Sequence, residues 1–233
     1  MNMAIEKYVY KTELHLHTFP ASGCSEIPPE KAVETYKNLG YDSIVVCNHF
    51  APCSPFYTGN KEPDVSTYLA DYDKALEAGQ KCGLNVILGC EIRFSENSND
   101  YLLFGIDRET LDWAYDYLDK GIEAFSEAFR SSDRLLFQAH PFRNGMVQVE
   151  PHLLDGIETF NMHPNHNSRV ALASKYAKQH DLIPVAGTDY HHFGHEGLVA
   201  LLTKTELKTG ADIVNVLKSR DYLFEIGGSI VLP

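Results

Sequence analysis

An α/β barrel is the fold class that the sequence predicts, and three observations predict it. Strand-like and helix-like segments alternate as repeated βα units, without separate all-β and all-α blocks. No shift of composition divides the chain. Its 233 residues, 44% hydrophobic, are therefore expected to form a single domain over residues 1–233 that buries roughly 70% of its unfolded surface. Residues able to bind metal recur at the C-terminal ends of the predicted strands, where barrels of parallel strands place their active sites.

The elements follow in order. Residues 8–14 are the first predicted strand. A helix opens at Pro28-Pro29, proline being favoured in a first turn; it presents Ala32, Val33, Tyr36 and Leu39 on one face and ends at Gly40. Residues 43–47 are the second strand. A polar loop with Pro52, Pro55, Gly59 and Pro63 leads to a helix in which Tyr68, Leu69, Tyr72, Ala75 and Leu76 recur at helical spacing before Gly83. Residues 86–88 begin the third strand, residues 101–104 form a fourth, and residues 111–129 are helical. The fifth strand, 135–138, is closed by His140-Pro141, and the sixth spans 156–160. A helix over 168–179 precedes the seventh strand at 183–186, and strands at 198–202 and 222–226 flank a helix at 213–217.

Composition excludes several classes. The formal charge of −12 opposes binding to the phosphate backbone of long nucleic acid, which calls for a clustered basic surface. An acidic protein can still bind a small phosphorylated molecule if metal ions supply the local positive charge, and the eleven histidines point that way. The five cysteines, Cys24, Cys47, Cys53, Cys82 and Cys90, are odd in number and show no CxxC spacing, as expected of reduced thiols. Residues 1–11 carry no leader-like apolar run, and no stretch approaches the ~18 apolar residues needed to cross a bilayer, so a cytoplasmic, membrane-free protein is expected.

His15 and His17 follow the first predicted strand, His49 the second, Glu91 the third, His140 the fifth, and Asp189 and His191 the seventh. In His15-Leu16-His17 the two imidazoles, two positions apart, leave an extended chain on one side, which suits capture of one ion; Asp189-Tyr190-His191 repeats the arrangement with a carboxylate. Taken singly, His49 reads equally well as a rim or core histidine, and His140 as a strand end. Glu91 closes an apolar run, where a carboxylate is costly unless paired, solvated or bound to a cation. Jointly, five imidazoles and two carboxylates at five strand ends suffice for two or three ions, and mixed nitrogen and oxygen donors favour Zn, Mn or Fe over Ca or Mg.

These motifs resemble those of the PHP (polymerase and histidinol phosphatase) superfamily. Glu13-Leu14-His15-Leu16-His17-Thr18 is similar to its first motif and Val46-Cys47-Asn48-His49 to its second. Gly89-Cys90-Glu91 resembles its bridging-glutamate strand, Ala139-His140-Pro141 its third motif, and Gly187-Thr188-Asp189-Tyr190-His191 its fourth. The resemblance implies a distorted (β/α)7 barrel holding up to three metal ions, with phosphoesterase activity on a small phosphorylated substrate. Relatives act on histidinol phosphate, on nucleotide or oligonucleotide ends, and on phosphotyrosine. The sequence departs from the family at Ser22, where a metal-binding aspartate is usual, at Asn48, and near residues 99–101, where a histidine is often found. Two ions are thus better provided for than three, with Asp100, Cys24 or Glu26 available as substitutes and Asp100 preferred.

On this reading His15, His17, Glu91 and Asp189 form the catalytic core of ligands and His49, His140, His191 and Asp100 complete the shells. Metal-activated water is the nucleophile, and the sequence has neither a GxSxG elbow nor a GxxxxGKS loop. Arg143 and Arg93 are candidates for the substrate phosphate, each also readable as a surface ion pair. His163, His166 and His192 crowd the same strand ends, as substrate contacts or as ordinary rim histidines. Two rivals remain: an amidohydrolase-like metallohydrolase, which also follows its first strand with HxH, and a non-catalytic metal- or phosphate-binding barrel.

Overall fold

The computed structural model describes residues 6–233; residues 1–5, which begin the segment lacking a leader-like run, lie outside the described residues. The alternation becomes β1 (Tyr10–Leu16), α1 (Pro29–Asn38), β2 (Ser43–Val46), β3 (His49–Phe50), α2 (Lys61–Cys82), β4 (Asn85–Leu88), β5 (Cys90–Arg93) and β6 (Asp100–Phe104). It continues through α3 (Arg108–Tyr115), α4 (Gly121–Phe129), β7 (Leu135–Gln138), β8 (Gly156–Asn161), α5 (Val170–Gln179) and β9 (Ile183–Gly187). The described chain ends with β10 (Val199–Thr203), α6 (Gly210–Ser219), β11 (Leu223–Ile226) and β12 (Ser229–Val231). No helix among the described residues is long and apolar enough to cross a membrane.

The strands form two mixed six-stranded sheets, in the orders β12-β11-β10-β1-β2-β4 and β3-β5-β6-β7-β8-β9. The chain runs directly from one sheet to the other between β2 and β3 and again between β4 and β5. Leu16, at the end of β1, makes a parallel bridge to Tyr190 beyond β9. Leu14, Val45, Leu102, Phe137, Val185 and Leu201, drawn from both sheets, share one apolar cluster, so the sheets face a common core. Each fully buried aliphatic or aromatic side chain there contributes about 1.5–3 kcal/mol. Alternation along β2 sends Val45 into that core and Ile44 and Val46 outward against α1, where Ala32, Val33 and Tyr36 form the predicted stripe.

The predicted alternation of βα units is not uniform. β5 pairs antiparallel with β6, and β6 antiparallel with β7, while β7, β8 and β9 run parallel. Residues 94–99 between β5 and β6 are too few for a crossover, which takes a dozen or more residues, so a reversal is the connection available there. β10 likewise pairs antiparallel with β1. The predicted helix over 111–129 is two helices, separated near Gly121, whose φ of 82° is one that L side chains rarely adopt. β1 extends to Leu16, so His15 lies within the strand instead of following it.

The loop bearing the lip of the strand ends is tied down by Asp64 in the first turn of α2. Its carboxylate accepts hydrogen bonds from Thr58 N (2.8 Å), Thr58 Oγ1 (2.6 Å), Gly59 N (3.0 Å) and Tyr115 OH (2.6 Å). Burial would raise its pKa, but the Thr58 and Tyr115 bonds outweigh it and hold the carboxyl below its ordinary 3.8. A carboxylate depressed in the folded state contributes stability that is complete above the unfolded value and is lost as pH falls through the folded one. Asp64→Asn is therefore expected to lower the urea midpoint at pH 7 by an amount equivalent to about 1–3 kcal/mol, and the gap to wild type to narrow as pH falls below 3.8. Equal midpoints at pH 7 would refute this role.

Candidate metal centre

His15 and His17 are two positions apart, and both rings are fully buried, with their Nε2 atoms 3.0 Å from each other. A shift in the β1–β2 register between Glu13 and Leu16 marks the place where the strand leaves regular pairing to present them. Two buried side chains set the ring orientation. Glu158 Oε1 lies 2.9 Å from His15 Nδ1; a carboxylate only accepts, so Nδ1 carries a proton and Nε2 faces the cluster. Ser22 Oγ lies 3.0 Å from His17 Nδ1, accepts from the His49 N–H at 2.9 Å, and donates its single proton to Asn48 Oδ1 at 2.9 Å. It can therefore only accept from His17 Nδ1–H, which turns the second Nε2 inward as well.

Carboxylates approach this pair from two sides. Glu91 Oε1 is 3.5 Å from His15 Nε2 and 3.2 Å from His140 Nε2, while Oε2 is 3.4 Å from His17 Nε2 and 2.8 Å from His49 Nδ1. Asp189 Oδ1 is 3.6 and 3.4 Å from the Nε2 atoms of His15 and His17, and 3.2 Å from His191 Nδ1. Glu91 Oε2 is nevertheless without a hydrogen-bond partner, because His49 meets it without hydrogen-bond geometry. A buried, unpartnered carboxylate oxygen is expensive, and a cation is the partner that this donor set fits. Three overlapping groups have ligand atoms within 4.8 Å of one another: His15, His17 and Asp189; His17, His49 and His191; His49, Glu91 and Asp100.

The protons in the cluster follow from its charges. Burial presses the His15 pKa down, yet Glu158, Asp189 and Glu91 overcome it and hold the ring well above the ordinary imidazole value. His17 is driven well below that value by burial and by its neighbours His191 and His49. The two share one proton, His15 Nε2–H donating to His17 Nε2, and either nitrogen would have to give up that proton to hold a metal ion. Despite burial, Glu91 is held well below the carboxylate range by His49 and His15, and Asp189 by His15 and His166.

Backbone features concentrate at the same residues. His140 and Asp189 have φ of 31° and 55°, in the left-handed region, at a cost of about 1–3 kcal/mol each. Gly187 leaves room for the histidine pair: a Cβ there would stand 2.4 Å from His15 Cβ and 2.7 Å from Glu158 Oε1.

The other predicted residues are placed as follows. Asp100 lies at the edge of the cluster, gripped by Arg93 through Nε (2.6 Å) and Nη2 (2.7 Å), with Arg143 Nη2 at 3.5 Å. Arg93, Arg143, His163, His166 and His192 all line a cavity of about 320 Å³ above the cluster. His163 Nδ1 accepts from the Asn165 N–H at 3.1 Å, so its proton sits on Nε2; burial, first, and His166 bring its pKa down to about 4 although Asp189 opposes this. Glu26 lies outward, 3.7 Å from His192.

Glu158 is the functional residue that sequence reasoning missed. Besides fixing His15, its Oε2 accepts from the His140 N–H at 3.0 Å and from Asn161 Nδ2 at 3.0 Å, and Asn161 Nδ2 also reaches Asp189 Oδ2 at 3.0 Å. One carboxylate thus orients groups from three strand ends. The signal was a glutamate at a buried position of β8, in Gly156-Ile157-Glu158-Thr159-Phe160-Asn161.

Fold and site together define an α/β domain whose convergent imidazole and carboxylate donors could hold metal ions. The sequence profile of the PHP domain matches residues 13–227, and the chain belongs to that family. Among curated proteins none matches significantly. Among solved structures, one similar chain is a two-domain protein from Bacteroides vulgatus described as containing a predicted PHP-like metal-dependent phosphoesterase. Identity is 16% and the TM-score 0.64, over 93% of this chain and 64% of that one. A second, PsfC from Pseudomonas syringae, is 15% identical with a TM-score of 0.59, over 88% of this chain and 87% of that one. A third, an amidohydrolase from Chromobacterium violaceum with bound sulfate, is 13% identical with a TM-score of 0.51, over 79% of this chain and 89% of that one. At these identities the likeness concerns the fold.

Replacing Glu158 by Gln keeps the shape but removes the charge that fixes the His15 tautomer. Affinity for a divalent transition metal, measured by competition with a chelator, is expected to fall about 10–100-fold while the circular dichroism spectrum is retained. Unchanged affinity would show that Glu158 does not support the centre.

Proposed function

We propose that this chain is a metal-dependent phosphoesterase acting on a small phosphorylated molecule, its single domain over residues 1–233 closed as a distorted (β/α)7 barrel, in the cytoplasm. The observation that carries the reading is the inward pair of Nε2 atoms at 3.0 Å facing Glu91 Oε2, a buried carboxylate oxygen without a hydrogen-bond partner. His15, His17, Glu91 and Asp189 are the core ligands of two or three Zn, Mn or Fe ions. His49, His140 and His191 complete the shells, and Asp100 divides its charge between the centre and the arginines. When bound, such ions supply a water of pKa near ~7 and a clamp for the phosphoryl oxygens.

The chain's own residues provide the rest. Arg143 meets Asp100 only at 3.5 Å, against 2.6 and 2.7 Å for Arg93, so Arg143 is the guanidinium freer to turn onto a phosphate, with Arg93 anchoring the carboxylate behind it. His163, neutral with its proton on Nε2, donates to a substrate oxygen. The cavity, at about 320 Å³, is at the small end for ligand sites, and its walls are mainly imidazole and guanidinium. This favours a compact substrate, such as a phosphomonoester of a small polar alcohol.

Two sets of variants test the reading. Purified protein is expected to contain transition metal and to hydrolyse a generic phosphomonoester, with His17→Ala and Asp189→Ala falling to background. Wild-type protein that stays inactive on phosphoesters after supplementation with Mn, Fe and Zn would sink the proposal. Activity confined to amides or lactones would favour the amidohydrolase alternative, and phosphate binding without turnover the non-catalytic one. Arg143→Ala removes one charged hydrogen bond to the substrate and is expected to lower kcat/KM about 10–100-fold, mainly through KM.

A further inference from the structure

We propose that Arg169 is a positioning residue for the substrate phosphate, holding the segment after β7 so that the Arg143 guanidinium stays over the cluster. The inference rests on the phosphoesterase reading, in which Arg143 meets the phosphate, and adds the residue that keeps Arg143 in place. Arg169 stands at the N-terminus of α5 and sends its guanidinium across to the other segment. There Nη1 donates to Phe142 O and Nη2 to Asn144 Oδ1. Phe142 and Asn144 are the residues on either side of Arg143. One planar fork thus clamps both neighbours of the guanidinium that lines the cavity.

Arg143 needs such a clamp. Its segment, residues 139–150, contains neither helix nor strand, and Asn144 and Gly145 are exposed. Within it Arg143 N donates to His140 O at 3.0 Å and Met146 N to Arg143 O at 3.2 Å. The far end is fastened at Val147, whose N–H donates to Asn99 Oδ1 at 2.8 Å and whose carbonyl accepts from Asn99 Nδ2 at 2.7 Å and Gln138 Nε2 at 2.8 Å. Between these points the hold comes from the α5 side, through the Arg169 fork and through Tyr176, whose ring meets Phe142 edge-on at 5.6 Å. The Arg143 guanidinium itself reaches Asp100 only at 3.5 Å, too long a contact to fix it.

The backbone points the same way. Arg169 has φ 47° and ψ 51°, a left-handed conformation that glycine adopts freely and an arginine only at a cost. An arginine kept in a glycine's backbone is kept for its side chain. Arg143, His163 and His166 line the cavity above the cluster; Arg169 lines the adjoining groove of about 540 Å³, whose walls share His163 and His166. Arg169 therefore acts through Arg143 instead of touching the phosphate.

Steady-state hydrolysis of a generic phosphomonoester by the metal-supplemented protein, with calorimetric binding of inorganic phosphate alongside, tests this. Arg169→Gly removes the fork yet suits the backbone at that position, so the fold is retained. KM is expected to rise about tenfold with kcat within about twofold, and phosphate affinity to fall in parallel. Arg169→Lys, whose point charge can meet one of the two acceptors, is expected to fall between. Asn144→Ala, which removes one acceptor and leaves α5 untouched, is expected to raise KM in the same direction. In an Arg143→Ala background, Arg169→Gly is expected to change KM and phosphate affinity by less than about twofold, because its effect passes through Arg143. Unchanged KM and phosphate affinity in Arg169→Gly, or a fully additive loss in the double variant, would overturn the positioning role and leave the phosphoesterase reading standing. A wild type that neither hydrolyses phosphoesters nor binds inorganic phosphate would overturn both.

Discussion

Buried negative charge is the constraint on which the rest of the structure depends. Glu13, Glu91, Asp100, Glu158 and Asp189 are all essentially inaccessible to solvent, and all come from the first motif or from the strand ends around it. Carboxylates so placed must find cations or several donors to stay ionised, because desolvation costs each of them several kcal/mol, and at Glu13 burial still lifts the pKa to about 7. The fold answers case by case. Glu13 takes the N–H groups of His15 and Thr188 and the hydroxyls of Tyr36 and Thr188, and in doing so ties β1 to the segment after β9. Asp100 takes Arg93, Glu158 takes His15, and Asp189 takes Asn161 and a share of the histidines. Of the five, Glu91 alone keeps a fully buried oxygen without a hydrogen bond, and it sits where the imidazoles converge.

This ordering separates residues that build the centre from those that act in it. Glu13 and Glu158 sit on the flanks, the first with four hydrogen-bonding groups and the second with three, and each binds backbone or side-chain atoms of the candidate ligand-bearing segments. Their full satisfaction makes them rigid, and rigidity at the flank is what lets His15 point one way only. Glu91 and Asp189 face the middle, where the imidazole nitrogens, apart from the close His49, stand at 3.2–3.6 Å. Such distances are too long for a strong hydrogen-bonded network and suit a set of donors waiting on a shared ion. Left-handed backbone at His140 and Asp189 belongs to the same picture, since strain at two positions of the cluster persists only where the surrounding bonds over-determine it.

Much of this was legible in the residues. The histidines and carboxylates named from the motifs fall together because the end of β1, the β2–β3 and β4–β5 junctions and the turns after β7 and β9 converge, as alternation of strands and helices implied. Less visible was strand direction: β6 follows β5 after six residues, a connection length that forbids a parallel crossover, so the reversal could have been deduced from spacing alone. Glu158 was hidden for a different reason. Within a run that already reads as a strand, nothing local distinguishes a solvated glutamate from one turned inward onto a histidine 143 residues away in the chain. Only the partner identifies it, and the partner is a product of folding.

Ser22 shows how one substitution reads differently before and after the geometry is known. As a sequence feature it is a lost ligand, an aspartate replaced by a neutral hydroxyl. In place, it is a fully used hydrogen-bond hub that fixes the His17 ring, the His49 backbone and Asn48 together, and Asn48 in turn accepts from the Thr18 N–H at 2.7 Å. Restoring an aspartate there would add a charge but take away the one proton that Asn48 Oδ1 receives from the hydroxyl, setting two acceptors against each other in a buried place. The serine and the asparagine therefore belong together, and the departure at residue 48 is explained by the departure at residue 22. With an orienting hydroxyl at residue 22 in place of the carboxylate usual in the motif it resembles, the centre takes any further anionic donor from elsewhere or holds fewer ions.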